Sequence, residues 1–491
     1  MFRNFLSRGS IFSQRQQLFT TRFQKGVILA YVPGSSFSTT ANNNDYLTSQ
    51  KFADLNLTTY LKQALQQKNF EYLTPVQKLA LPKLLQGANA LVQGDPGSGK
   101  SLCYILPILN ALLSPSSSSS KIKGALVLAP TKELCTQIYS FFRALDPENK
   151  INITRLGSLT HFAPVVPHLD QKNSEEFLRD ISFQNVVNTV SWQELDILVT
   201  TPGQLEDIMA VKDKKDPYNL NPKFVVVDEY DILLGEETLG KSTRTILRRF
   251  AGLHRSIFAD INKQRQFILC GSTTARKTSS SITIEDELSE TFKDFEVIQS
   301  ERFYKFPKTI RYDYVDVHRG SPFEWELSML RDVLQTSSAQ KVVIFCNSGE
   351  RVRQVYEYLT DIGEKTSTFY GNMPTEERIH VLAKFKRENL RVLVVSELAS
   401  RGIDFEGVDH VIQFDYALSL SSVLHRAGRT GRCGKSGVFT SFVRDKDQPL
   451  VTRVKNAIQN DESLEASSSS GVKRNMRRKD SRRIDESEED L

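Results

Sequence analysis

The feature that most constrains this chain is a recurring short, apolar, largely β-branched run, each followed by a loop and then a stretch with helical spacing. The runs are Ala90–Val92, Ala125–Leu128, Ile197–Val199, Phe224–Val227 and Phe267–Leu269. After a polar bridge at Glu301–Arg311 the pattern resumes with Val342–Phe345, Val392–Val395 and Val411–Ile412. Continuous rather than alternating apolar runs are what strands need when helices cover both faces of a parallel sheet. The expected fold is therefore α/β, with two doubly wound parallel-sheet domains in tandem. Functional residues should gather in the loops at the C-terminal ends of the strands. With 491 residues there is chain enough for both. The expected boundaries are a leader at 1–44, a first domain at 45–300, a bridge at 301–311, a second domain at 312–460 and a tail at 461–491.

Hydrophobic residues make up 39% and charged residues 25%, as in an ordinary soluble protein, and no apolar run reaches the roughly 18 residues that span a bilayer. The formal charge is +6, but Arg3, Arg8, Arg15, Arg22 and Lys25 all precede the first acidic residue, Asp45. The body is thus nearly neutral, and any grip on nucleic acid must come from a local surface. Five scattered cysteines, several inside apolar runs, fit buried thiols in a reducing compartment, and the seven histidines show no metal-ligand spacing. The acid-free, Arg-, Ser- and Phe-containing start reads as a mitochondrial transit peptide addressing the matrix; the alternative is a disordered arm. Ser116–Ser120 reads as a surface loop. The tail, with Lys473, Arg474, Arg477, Arg478 and Lys479 before an acidic end, is expected to be disordered alone and either to contact RNA or only to solubilise.

Gly94-Asp95-Pro96-Gly97-Ser98-Gly99-Lys100-Ser101 matches GxxxxGK[ST] directly after an apolar run. Glycines let the backbone curl so that its N–H groups and the next helix's N-terminus face phosphates. Lys100 would reach the β and γ phosphates of ATP, and the Ser101 hydroxyl would hold Mg²⁺. Phe224–Val227 runs into Asp228-Glu229-Tyr230-Asp231, and two carboxylates ending a buried strand are costly unless used. Asp228 would help hold the metal, and Glu229 would orient and deprotonate the attacking water.

The order of motifs resembles the DEAD-box RNA helicase family, over about Phe52 to Val454. Phe52, Asn69-Phe70 and Leu73-Thr74-Pro75-Val76-Gln77 are similar to the family's adenine-reading motif, which implies Gln77 hydrogen-bonding adenine and Phe70 stacking near it. Pro130-Thr131-Lys132-Glu133-Leu134 and Thr201-Pro202-Gly203-Gln204-Leu205 resemble loops that hold RNA phosphates. Ser272-Thr273-Thr274 stands where the family couples its domains, with Asp231 beside it. Ser400-Arg401-Gly402-Ile403-Asp404 and His425-Arg426-Ala427-Gly428-Arg429-Thr430-Gly431-Arg432 match two motifs of the second half. Gly371-Asn372-Met373 and Arg378 fall on its RNA-facing side.

The resemblance implies two RecA-like domains, ATP with Mg²⁺, and RNA held by its backbone through Pro130, Thr131, Lys132, Thr201, Pro202, Gly203, Arg378, Arg401 and Arg426. It places Gly402 and Asp404 at the nucleotide, Asp404 on the ribose. It makes Ser272, Thr274, His425 and Asp231 the link between domains, with His425 reaching the 272–274 loop. Arg429 and Arg432, three apart in a glycine-flanked segment, would both point at the γ-phosphate as arginine fingers.

Some positions depart from the pattern. Tyr230 replaces a small Ala and is expected to crowd the turn beside the carboxylates. Lys132 and Gln204 replace arginines, Gly157-Ser158 replaces a Gly-Gly pair, and Pro96 removes one N–H from the phosphate loop. The leading expectation is a monomeric ATP-driven RNA helicase acting on mitochondrial RNA, in ribosome assembly or transcript maturation, with mitochondrial ribosomal RNA as a candidate partner and no membrane. The rivals are an ATP-gated RNA clamp with weak hydrolysis and a DNA translocase.

Overall fold

The computed structural model describes residues 47–114, 124–155, 195–209, 222–235, 237–251, 265–273, 288, 295–371, 373–387, 390–397, 405, 407–432 and 435–464. The leader, Ser116–Ser120, Gly157-Ser158, Thr274, Asn372, Arg401, Gly402, Asp404 and the basic part of the tail lie outside the described residues.

Among the described residues of the first unit, the strands are β1 (Asn89–Gln93), β2 (Ala125–Leu128), β3 (Ile153–Arg155), β4 (Ile197–Thr200), β5 (Phe224–Asp228), β6 (Gln266–Gly271) and β7 (Phe295–Gln299). They form one sheet in the order β3-β4-β2-β5-β6-β1-β7, every pair parallel. Its helices are α1 (Thr59–Gln67), α2 (Pro75–Leu85), α3 (Lys100–Leu113), α4 (Lys132–Leu145), α5 (Pro202–Met209), α6 (Tyr230–Gly235) and α7 (Glu237–Ala251). The second unit has β8 (Ile310–Asp316), α8 (Phe323–Thr336), β9 (Val342–Cys346), α9 (Gly349–Asp361), β10 (Thr366–Phe369), α10 (Thr375–Arg387), β11 (Val392–Ser396), β12 (His410–Gln413), α11 (Leu420–Ala427), β13 (Gly437–Val443) and α12 (Gln448–Gln459). These strands form a second parallel sheet, β10-β11-β9-β12-β13-β8.

Strand alternation divides each unit's core in two. On β1, Ala90 and Val92 face the layer of α1 to α4, while Leu91 faces the layer of α5 to α7 with Leu205, Leu233 and Ile246. On β9, Val343 and Phe345 face one layer and Val342 and Ile344 the other. Both faces are covered, which is why the runs are apolar throughout. Full burial of each such side chain contributes about 1.5–3 kcal/mol.

Two boundaries differ from expectation. β8 takes up Ile310 and Arg311, the last residues of the expected bridge. The tail expected from 461 is held as far as Leu464, which is buried and donates its N–H to Tyr304 O at 3.0 Å. Asp461 is paired with Lys308 at 2.9 Å, so the start of the tail is pinned to the bridge. No described helix is long and apolar enough to cross a membrane.

Candidate nucleotide site between the two sheets

The phosphate loop leaves β1 and enters α3, as its glycines require. Gly97 and Gly99 have φ of +80° and +82°, a region that costs other residues a Cβ clash. Gln77 is 2% exposed and packs against the loop: its Nε2 donates to Gly99 O at 3.0 Å, and its Oε1 accepts from Thr74 N at 2.9 Å. Thr74 Oγ1 donates to Ser98 O at 2.7 Å. Gln77 thus braces the loop, and Phe70 packs edge-on against Phe52 with centroids 6.3 Å apart.

Lys100 Nζ donates to Gly94 O, Asp95 O and Ser272 Oγ, each at 2.8 Å. Ser272 therefore serves the phosphate-loop lysine directly, a role beyond the interdomain one expected for it. Asp95 Oδ1 and Ser98 Oγ are buried with no hydrogen-bond partner among the described residues. Burial pushes the Asp95 carboxyl up to about 6 despite Lys100 and Arg302 nearby.

At the end of β5, burial, aided by the charge of Glu229, lifts the Asp228 carboxyl to about 7. Its Oδ2 accepts from Tyr104 Oη at 2.9 Å and its Oδ1 from Glu229 N at 3.0 Å. Glu229 has φ +54°, the left-handed strain that accumulates at functional turns. Ser101 lies at the start of α3, one turn before Tyr104, whose hydroxyl is held by Asp228. The oxygen donors of Ser101 and Asp228 are the hard kind that Mg²⁺ takes, and a carboxyl whose charged form burial disfavours gains most from a cation. The pair fits the ion.

Tyr230 does not crowd the turn. It is fully buried, its ring lies over Gly271, and its hydroxyl accepts from Gln93 Nε2 at 2.8 Å and donates to Thr273 O at 2.9 Å. Asp231 Oδ2 accepts from Thr273 N at 3.0 Å and from the Thr273 hydroxyl.

The second unit approaches along the glycine-rich segment after α11. A Cβ on Gly428 would come within 2.6 Å of Pro96 Cβ, and one on Gly97 within 3.4 Å of Arg432 Cγ, so α11 and its sequel press on the phosphate loop. Arg429, 8% exposed, donates from Nε to His425 O at 3.2 Å, and Arg432 Nε donates to Gly428 O at 2.7 Å. His425 Nε2 lies 3.4 Å from Asp231 Oδ2. It meets Asp231 rather than the 272–274 loop directly, and Thr273 reaches the same carboxylate from the other side.

Two expected RNA contacts are placed elsewhere. Arg426 is 1% exposed, with its guanidinium donating to Gln413 Oε1, Asp415 O, Asn347 Oδ1 and Glu397 Oε2 at 3.0, 2.6, 2.7 and 2.5 Å. It knits the second sheet's strand ends and has no face for a phosphate, since a buried charge needs its partners fully. Arg378 pairs across the units with Glu133 at 3.1 Å and lies over Phe369, so this charge is also taken by protein. Pro130, Thr131 and Lys132 follow β2, and Thr201, Pro202 and Gly203 follow the adjacent β4. Both turns open helices: Thr131 caps α4, and Thr201 Oγ1 accepts from Gln204 N at 3.4 Å. Two helix N-termini side by side form an anion-accepting surface. Sequence reading missed Tyr104 and Gln93, and named Thr273 only within the Ser272–Thr274 stretch without giving it a role of its own.

Comparison with known proteins accords with this geometry. The family model for DEAD/DEAH box helicases matches residues 74–282, and that for the helicase conserved C-terminal domain matches residues 325–434. The chain belongs to the DEAD-box RNA helicase family. It is an ATP-hydrolysing helicase of that family. This DEAD-box chain is 29% identical to DEAD-box ATP-dependent RNA helicase 39 of Arabidopsis thaliana over 438 residues, a match covering 87% of the chain and 64% of the plant protein. To ATP-dependent RNA helicase FAL1 of Kluyveromyces lactis it is 28% identical, covering 83% and 90%. Among solved structures, S. cerevisiae Dbp5 bound to RNA and ADP BeF3 superposes with a TM-score of 0.63 at 21% identity, covering 84% of this chain and 93% of Dbp5. DEAD-box helicase Mss116 bound to ssRNA and UDP-BeF gives 0.64 at 19%, covering 84% and 79%. These likenesses establish two RecA-like units.

Proposed function

We propose that this helicase works on RNA in the mitochondrial matrix, remodelling ribosomal RNA or maturing transcripts through a cycle of ATP-driven closure. The observation that carries the catalytic part is the approach of the Gly428–Arg432 segment, which bears Arg429, to a phosphate loop on the other sheet: Gly428 faces Pro96 and Arg432 faces Gly97. A guanidinium supplied across a cleft stabilises charge developing on the transferring phosphoryl group. Lys100 binds the β and γ phosphates, and Glu229 orients the attacking water and takes its proton. Mg²⁺, held by Ser101 and Asp228, supplies neutralisation of phosphate charge when bound.

RNA is gripped by its phosphates at the paired helix starts after β2 and β4, through Thr131, Lys132, Thr201 and Gly203, without base readout. That Dbp5 and Mss116 are RNA-bound in their solved structures supports RNA as the partner. Arg401, Gly402, Thr274 and Asp404 keep their proposed roles on the family pattern alone. The matrix assignment rests on the acid-free, arginine-bearing segment 1–44.

The test is steady-state ATP hydrolysis by the full chain, with and without single-stranded RNA, beside Glu229→Gln. RNA-stimulated turnover that Glu229→Gln abolishes is the expected result. ATP-dependent RNA retention without turnover would replace the helicase with a clamp, and equal stimulation by DNA would make it a translocase. A fluorescent protein carrying residues 1–44 should enter mitochondria; cytosolic fluorescence removes the matrix reading.

A further inference from the structure

Tyr230 occupies a position that no step of the hydrolysis reading uses, yet its side chain is held on every side. It is fully buried, and both hydrogen-bonding capacities of its hydroxyl are met, one by Gln93 and one by Thr273. Gln93 is the last residue of β1, immediately before the phosphate loop. Thr273 follows Ser272, which accepts from Lys100, and itself donates to Asp231, which meets His425 of the other unit. The ring has room only because the facing residue is Gly271, where any Cβ would fall inside its van der Waals surface.

We propose that Tyr230 is a positioning residue that makes the start of the phosphate loop and the Ser272–Thr273 turn move as one body, so that closure sensed at Asp231–His425 reaches Lys100. A hydroxyl bonded on both sides fixes the spacing between two loop segments more tightly than apolar packing, because hydrogen bonds are directional. The ring and Gly271 form an interlocked pair, and the bulk at the turn is matched by its removal opposite.

This proposal rests on the ATP-dependent helicase reading. The test compares native protein, Tyr230→Phe, Gln93→Met and the double variant in RNA-stimulated ATP hydrolysis, with thermal unfolding measured beside it. Phe keeps the ring against Gly271 and removes only the hydroxyl. The expected result is a kcat with RNA lower by about threefold to tenfold, the scale of one buried hydrogen bond, with KM for ATP little changed. The double variant should be no slower than either single one, since both break the same link. Native kcat in Tyr230→Phe, additive losses in the double variant, or losses that track the unfolded fraction would each overturn the proposal while leaving the helicase reading intact. An inactive native chain would overturn both.

Discussion

His425 Nε2 stands 3.4 Å from Asp231 Oδ2, joining the end of α11 in one unit to the start of α6 in the other. Burial alone would raise the Asp231 carboxyl, but His425 and the Thr273 hydroxyl hold it below its ordinary value. It is therefore a carboxylate, and its partners come from both sides of the interface. Asp231→Asn keeps the shape and removes the charge. A hydrogen bond to a charged group is worth about 1.5–3 kcal/mol, so RNA-stimulated turnover should fall roughly tenfold to a hundredfold. Nucleotide affinity, measured by equilibrium titration, should stay near native because no nucleotide contact is touched. Native turnover in this variant would show that the contact is incidental.

The brace on the phosphate loop makes a second prediction. Gly99 is left-handed, and a Cβ there would run into the Gln77 amide that holds Gly99 O. Gly99→Ala therefore strains the backbone by roughly 1–2 kcal/mol and expels the brace as well. ATP binding should weaken by at least about tenfold, the equivalent of 1.4 kcal/mol, with the fold kept. Native affinity would mean that the loop is set by its helix alone.

The central strands were legible because covering both faces leaves a continuous apolar run that no other element of this length produces. The edges were not. β7 carries a half-exposed Val297, and β10 is the polar run Thr366–Phe369, because an edge or thinly covered strand has little to bury. The phosphate loop was legible for a different reason: its chemistry is local, so spacing alone specifies it. Arg426 was misread because an arginine in a basic motif looks the same whether it faces solvent or four acceptors of its own unit. Those acceptors come from Asn347, Glu397, Gln413 and Asp415, far apart in sequence. Tyr230 was expected to crowd its turn because Gly271, the residue that makes room, lies 41 positions away.

Arg426 yields a prediction that separates its placement from the one expected. Removing one partner of a buried charge network costs about 3–5 kcal/mol. Arg426→Ala should thus lower the Tm of the second unit by roughly 10 °C, at about 2–4 °C per kcal/mol for a unit of this size. RNA affinity per folded molecule, read at low temperature, should not change. A loss of RNA affinity without loss of Tm would return Arg426 to the RNA surface.

His410 gives the chain a pH-dependent stability. Its ring is 3% exposed between Ser337 Oγ at 2.9 Å and Thr440 Oγ1 at 2.8 Å. Burial, with Arg311 and Arg391 nearby, holds it down at about 4, below the 6.5 of an unperturbed imidazole. The unfolded chain therefore takes up the proton first as pH falls. Stability is full above about pH 6.5 and is lost progressively toward pH 4, by up to about 3 kcal/mol for this group. His410→Gln keeps a hydrogen-bonding side chain that does not titrate. Urea unfolding at pH 7.5 and pH 5 should show native protein losing more stability on acidification than the variant does. Equal losses would place the acid sensitivity elsewhere, because a histidine free to ionise in the folded state contributes no slope.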